Sequence, residues 1–73
     1  MEKFWQIIYM YTNDDIELSD DYHDFDHACA DYFYMTSHDA DDYQYVVLRE
    51  IETDYKDHEE IKEIDSWTNE DCE

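Results

Sequence analysis

The residues best equipped for chemistry in this chain are its histidines and carboxylates. His23 and His27 stand four apart, with Asp20, Asp24 and Asp31 close by. Two imidazoles at i and i+4 of a helix can share a metal, as in zinc-protease helices. The segment reads His23-Asp24-Phe25-Asp26-His27, so the glutamate general base of that motif is missing. Surface histidines among acids are the expected outcome. Asp39, Asp41 and Glu50 fall at positions 1, 3 and 12 of a calcium-loop window, but Tyr43 and Gln44 take positions 5 and 6, where a ligand and a glycine are needed. Paired carboxylates can hydrolyse glycosides, yet among 23 Asp and Glu any pair can be nominated. Cys29 falls on an expected apolar helix face, a core position, and the surrounding negative charge disfavours its thiolate. Glycine is absent, which excludes glycine-rich phosphate loops. The expectation is no enzyme, no cofactor and no metal site.

What remains is the carboxylate array itself: Asp14, Asp15, Glu17, Asp20, Asp21, Asp24, Asp26, Asp31, Asp39, Asp41 and Asp42. With 23 acids against 4 Lys and Arg, the formal charge is −19. Solubility needs a magnitude of only about 2–8 in a small domain, and self-repulsion of this size opposes compaction. Helix neighbours three and four apart sit about 5–6 Å from one another, while each DNA strand carries one charge per roughly 3.4 Å. A folded acidic surface can therefore approach the charge density of a nucleic acid. Carboxylates also suit arginine, whose planar fork binds carboxylate and phosphate alike. Tyr22, Tyr34, Tyr43 and Tyr55 add contact area for such a partner. Salt adaptation and a plain solvated face are the competing readings of the charge.

In size, acidity, aromatic richness and the segment Ser19-Asp20-Asp21-Tyr22-His23-Asp24-Phe25-Asp26-His27, the chain resembles the small acidic DNA-mimic proteins of phages and mobile elements, the anti-CRISPR and anti-restriction type. The resemblance is compositional and carries no residue-by-residue correspondence, and such mimics share no single fold. It implies an inhibitor that occupies the phosphate-binding groove of a host defence complex, such as a CRISPR effector or a restriction enzyme, in the host cytoplasm. The residues alone imply a basic nucleic-acid-binding protein or complex as partner, with no direct contact to nucleic acid or membrane, and leave a homodimer open. On that reading, Asp24→Lys with Asp31→Lys weakens partner binding and leaves the fold intact. The alternatives are an acidic adaptor that binds a protein through exposed aromatics, and a halophilic soluble domain.

The elements that must hold this array follow from length and pattern. A chain of 73 residues is one small domain, and 42% hydrophobic with 18% aromatic content argues for folding rather than disorder. Residues 4–12 read as a strand, apolar on both faces and hence central or doubly covered. Asn13-Asp14-Asp15 signals a turn, and Ile16-Glu17-Leu18 a short returning strand. Ser19 is the expected N-cap of a helix to about Met35, with Tyr22, Phe25, Cys29, Tyr32 and Phe33 on its apolar face. Thr36 to Asp42 reads as a polar loop, and Tyr43 to Ile51 as a strand. Beyond Thr53 the threefold recurrence of Tyr55, His58, Ile61 and Ile64 favours a helix capped by Thr53 or Asp54 over an alternating strand at Ile61 to Trp67. The expected fold is α+β: a small antiparallel sheet with one amphipathic helix packed on it, ββαβ plus a C-terminal helix or strand. It spans residues 1–67, with 68–73 as a flexible acidic tail. Two cysteines, no visible signal peptide and no membrane-length apolar run point to a reducing cytoplasmic setting.

Overall fold

Aromatic and β-branched residues fill both long central strands, and hydrogen-bonded pairing between them organises the molecule. The computed structural model describes residues 2–38, 40–54 and 59–69. Strand β1 (Glu2–Tyr11) turns into β2 (Ile16–Leu18), helix α1 (Phe25–Ser37) follows, and a short 3-10 turn (Ala40–Asp42) leads into β3 (Tyr43–Thr53) and β4 (Glu59–Thr68). The strands form one antiparallel sheet in the order β2-β1-β3-β4. Helix α1 packs across β1 and β3. The α+β class expected from the pattern is the one observed.

Side-chain alternation assigns the two faces. Trp5, Ile7, Tyr9 and Tyr11 of β1 turn toward α1, in register with Glu50, Leu48, Val46 and Tyr43 of β3. Ile7, Val46, Leu48, Tyr43, Ala28 and Tyr32 form the core under the helix. Burying each of the larger aliphatic side chains contributes about 2 kcal/mol. Phe4, Gln6, Ile8 and Met10 lie on the opposite face, in register with Ile51, Arg49, Val47 and Tyr45. β1 is therefore central, as its two apolar faces suggested, but α1 covers only one of them.

In a chain without glycine, the β1–β2 turn uses aspartate. Asp14 adopts a positive φ of 75°, a conformation Asn and Asp tolerate better than other non-glycine residues. Asn13 Oδ1 accepts from the Asp15 amide at 3.1 Å, and the Asp14 amide donates to the Tyr11 carbonyl at 3.0 Å.

Three expectations are corrected. First, the helix begins at Phe25 with Asp24 as N-cap, whose side chain accepts from the Asp26 amide at 3.0 Å. Ser19 instead accepts from the Ile7 amide at 2.8 Å. Beyond it the chain stays beside β1, where Trp5 and Tyr22 exchange two 2.8 Å backbone bonds. The outer edge of β1 carries donors and acceptors that need partners, and an extended 19–22 segment supplies them where a helix would not. Starting later, the helix buries Ala28 and Tyr32 and leaves Phe25 and Phe33 41% and 63% exposed. It also runs on to Ser37, into the expected loop.

Second, residues 59–68 form a strand, not a helix. Thr53, a candidate helix cap, is the last residue of β3. β3 would otherwise have an unpaired edge along its length, and β4 pairs with it from Thr53↔Glu59 to Tyr45↔Thr68. A bulge shifts the register between Leu48↔Asp65 and Arg49↔Glu63, leaving Ile64 as the extra residue. That insertion converts an alternating pattern into a threefold spacing of Ile61, Ile64 and Trp67, which imitates a helical period. Tyr55 and His58 lie outside the described residues.

Third, Thr68, placed at the start of the expected tail, closes β4, and the Asn69 amide donates to the Gln44 carbonyl at 2.8 Å. Residues 70–73 lie outside the described residues.

Candidate partner-binding surface

The carboxylates of the array fall into an ordered strip. At one end the β1–β2 turn, bearing Asp14 and Asp15, meets the 3-10 turn that bears Asp41 and Asp42. Gln44 Nε2 donates to Asp14 Oδ1 at 2.6 Å and to the Tyr11 carbonyl at 3.1 Å, and the Thr12 amide donates to the Asp42 carbonyl at 3.1 Å. Glu17 sits partway along, opposite Tyr9 in β2. Asp20 and Asp21 lie on the extended segment, where Asp21 accepts from Gln6 Nε2 at 2.7 Å. Asp24 caps the helix and Asp26 occupies its first turn, where negative charge is favoured by the helix dipole. Asp31, one turn further on, accepts from the Tyr22 hydroxyl at 2.7 Å and stands 3.7 Å from His27 Nε2. Asp39 lies outside the described residues.

From Asp14 to Asp24 the strip follows the β2 edge of the sheet. At ~3.3 Å per extended residue, its six carboxylates recur on average about every 7 Å, against ~3.4 Å per phosphate along one nucleic-acid strand. Asp26 and Asp31 add a second row on the helix. Asp20, Asp21, Tyr22, His23, Asp24 and His27 line an open cleft of about 540 Å³. Three of its six lining side chains are carboxylates, which suit guanidinium and ammonium groups.

The histidines do not form a metal pair. His23 precedes the helix and packs against Phe4, with ring centroids 6.4 Å apart. His27 packs edge-on against Tyr22 at 5.1 Å. Helical i, i+4 spacing therefore never arises. Among the described residues no group of three His, Cys, Asp or Glu side chains is placed to hold a metal. β3 runs through the calcium-loop window.

Negative charge also flanks the other side of the helix, which the sequence reading did not include. Asp65 of β4 is exposed opposite Leu48 on the helix face, while Glu63, across the bulge, is exposed opposite Arg49. Burial pushes the Tyr32 phenol up to about 12, with Asp65 and Glu63 adding to it. The Cys29 thiol is raised by burial and by Asp26 and Asp65, so it is a poor nucleophile. Burial first, and then the bond to Asp31, raise the Tyr22 phenol strongly. Of the tyrosines expected to face a partner, Tyr43 is buried at 8% and Tyr22 is tied to Asp31, while Tyr34 is 56% exposed and stacked on His38. Tyr55 lies outside the described residues.

Comparison of the chain with known protein families, characterised proteins and solved structures gives no match. Among the described residues no helix is long and apolar enough to cross a membrane.

Proposed function

We propose that this chain is a nucleic-acid mimic that inhibits a basic DNA- or RNA-binding protein by occupying its phosphate-binding groove. The observation that carries the reading is the strip from Asp14 to Asp24, in which backbone pairing fixes the row and bonds to Gln44, Gln6 and the Asp26 amide hold the Asp14, Asp21 and Asp24 carboxylates. A preorganised row presents charge at little entropic cost on binding. The reading assigns no catalytic step and places the protein in a cytoplasm. The resemblance to phage-borne mimics makes a CRISPR effector or restriction enzyme the natural target.

Glu17 and Asp20 are the positions for a test. Both are exposed, and their carboxylates make no hydrogen bond or ion pair among the described residues. Bacterial lysate passed over the immobilised chain should yield basic nucleic-acid-binding proteins that elute as salt rises and are displaced by duplex DNA or by RNA. Glu17→Lys with Asp20→Lys should weaken that capture by at least about tenfold, or ~1.4 kcal/mol. Capture that is indifferent to salt, to added nucleic acid and to the double reversal overturns the reading. A second reading, an adaptor binding through aromatics, draws on exposed Phe33 and Tyr34. It requires binding that survives high salt and is lost in Phe33→Ala with Tyr34→Ala.

A further inference from the structure

On the face of the sheet opposite α1, Ile51 is buried at 1%, but the rows nearer β2 are covered by no described element, and their composition departs from the rest of the molecule. Leu18, Ile8 and Val47 form one cross-strand row, and Ile16, Met10 and Tyr45 the next. Ile16 and Leu18 are 55% and 49% exposed. No acid interrupts these two rows, in a chain that has 23. A polar row bounds the patch: Arg49 Nη2 donates to Gln6 Oε1 at 3.0 Å, and Gln6 Nε2 to Asp21.

We propose that two copies of this chain pair through the open face of the sheet. A cationic partner gains nothing from an apolar, acid-free surface, where its charges would lose water without recompense. A second copy presents the same flat apolar rows and the same polar margin, the arrangement of an isologous interface with an apolar centre and polar rim. Three strands of 10 and 11 residues at ~3.3 Å rise and ~4.8 Å spacing, with the three-residue β2 beside them, give a face on the order of 500 Å² in plane. Its accessible surface is larger than its plane, and so close to the ~800 Å² per partner of a standard interface. Sheet-on-sheet packing needs no rearrangement. It leaves α1, the strip from Asp14 to Asp24 and Asp65 facing outward, so a pair displays two mimic strips.

Charge sets the sign of the salt effect. Two bodies of −19 repel, and salt screens that repulsion as the Debye length falls from ~30 Å at 0.01 M to ~3 Å at 1 M. Pairing therefore tightens with salt, the reverse of the salt dependence of mimicry, so either can fail without the other.

The experiment is sedimentation equilibrium of the full chain across that salt range. The expected result is a monomer–dimer equilibrium that shifts toward dimer as salt rises. Ile16→Ser with Leu18→Ser, at exposed positions and with unchanged charge, should weaken it at least about tenfold, since each side chain counts twice in the pair. Phe33→Ser on the helix should leave it unchanged, with far-UV circular dichroism verifying that all three proteins are folded. A monomer at every salt concentration overturns the proposal and gives the face to some other protein. A dimer lost with Phe33→Ser but not with Ile16 and Leu18 overturns it as well.

Discussion

Several carboxylates that could face a partner also hold the fold. Asp24 caps α1, Asp31 accepts from Tyr22, Asp21 from Gln6 and Asp14 from Gln44. Reversing Asp24 and Asp31 together, which the sequence marks as harmless to folding, instead removes a helix cap and a short hydrogen bond. Caps are worth ~1 kcal/mol. Tyr22→Phe removes the 2.7 Å bond to Asp31 and is expected to cost about 1.5 kcal/mol, measured by urea unfolding at neutral pH. Tyrosine ionisation adds a pH effect. Tyr9, Tyr22 and Tyr32 all have phenols raised above the ordinary value of 10.0 by burial. A raised phenol stabilises the folded state fully below its unfolded pKa and loses that contribution as pH climbs through the folded one. Stability should therefore fall between pH 10 and about 12, and Tyr32→Phe should flatten that decline if it remains folded. A flat urea midpoint in the parent protein over this range would contradict the assignment.

At the scale of elements, edge pairing overrides local propensity. Ser19 carries every local mark of a helix cap: a good capping residue with Asp20 and Asp21 behind it. It fills a β1 vacancy instead, accepting from the Ile7 amide. Ser19→Ala leaves that part-buried donor without its side-chain acceptor and should destabilise by about 1–2 kcal/mol. The same substitution at a true helix N-cap would lower helicity, whereas here far-UV helical content should stay unchanged, which separates the two roles. β4 follows the same logic, since its bulge at Ile64 disguises the strand as a threefold pattern. The turn at Asn13-Asp14-Asp15, β2 and both central strands were legible locally, because their signals lie within a few residues. The helix start and β4 were not, because each depends on an edge contributed by a strand far away in sequence.

For the molecule as a whole, self-repulsion of the net charge opposes the folded state. A folded body holds its −19 closer together than an unfolded chain does. Screening should therefore raise stability, with the urea midpoint increasing from low salt to ~1 M sodium chloride, most steeply while the Debye length still exceeds ~10 Å. A midpoint independent of salt would mean that the charges are already balanced by their spacing.

Composition and local pattern alone determined the acidity, the absence of glycine-built sites, the α+β class and the existence of the central strands. These depend on residue types and short-range periodicity, which survive in any environment. Which acids form a row, which tyrosines are spent on internal bonds, and which sheet face is left bare were decided only by tertiary structure. Those outcomes turn on register and on the edge of β1, where hydrogen-bond partners come from residues that the linear order keeps apart.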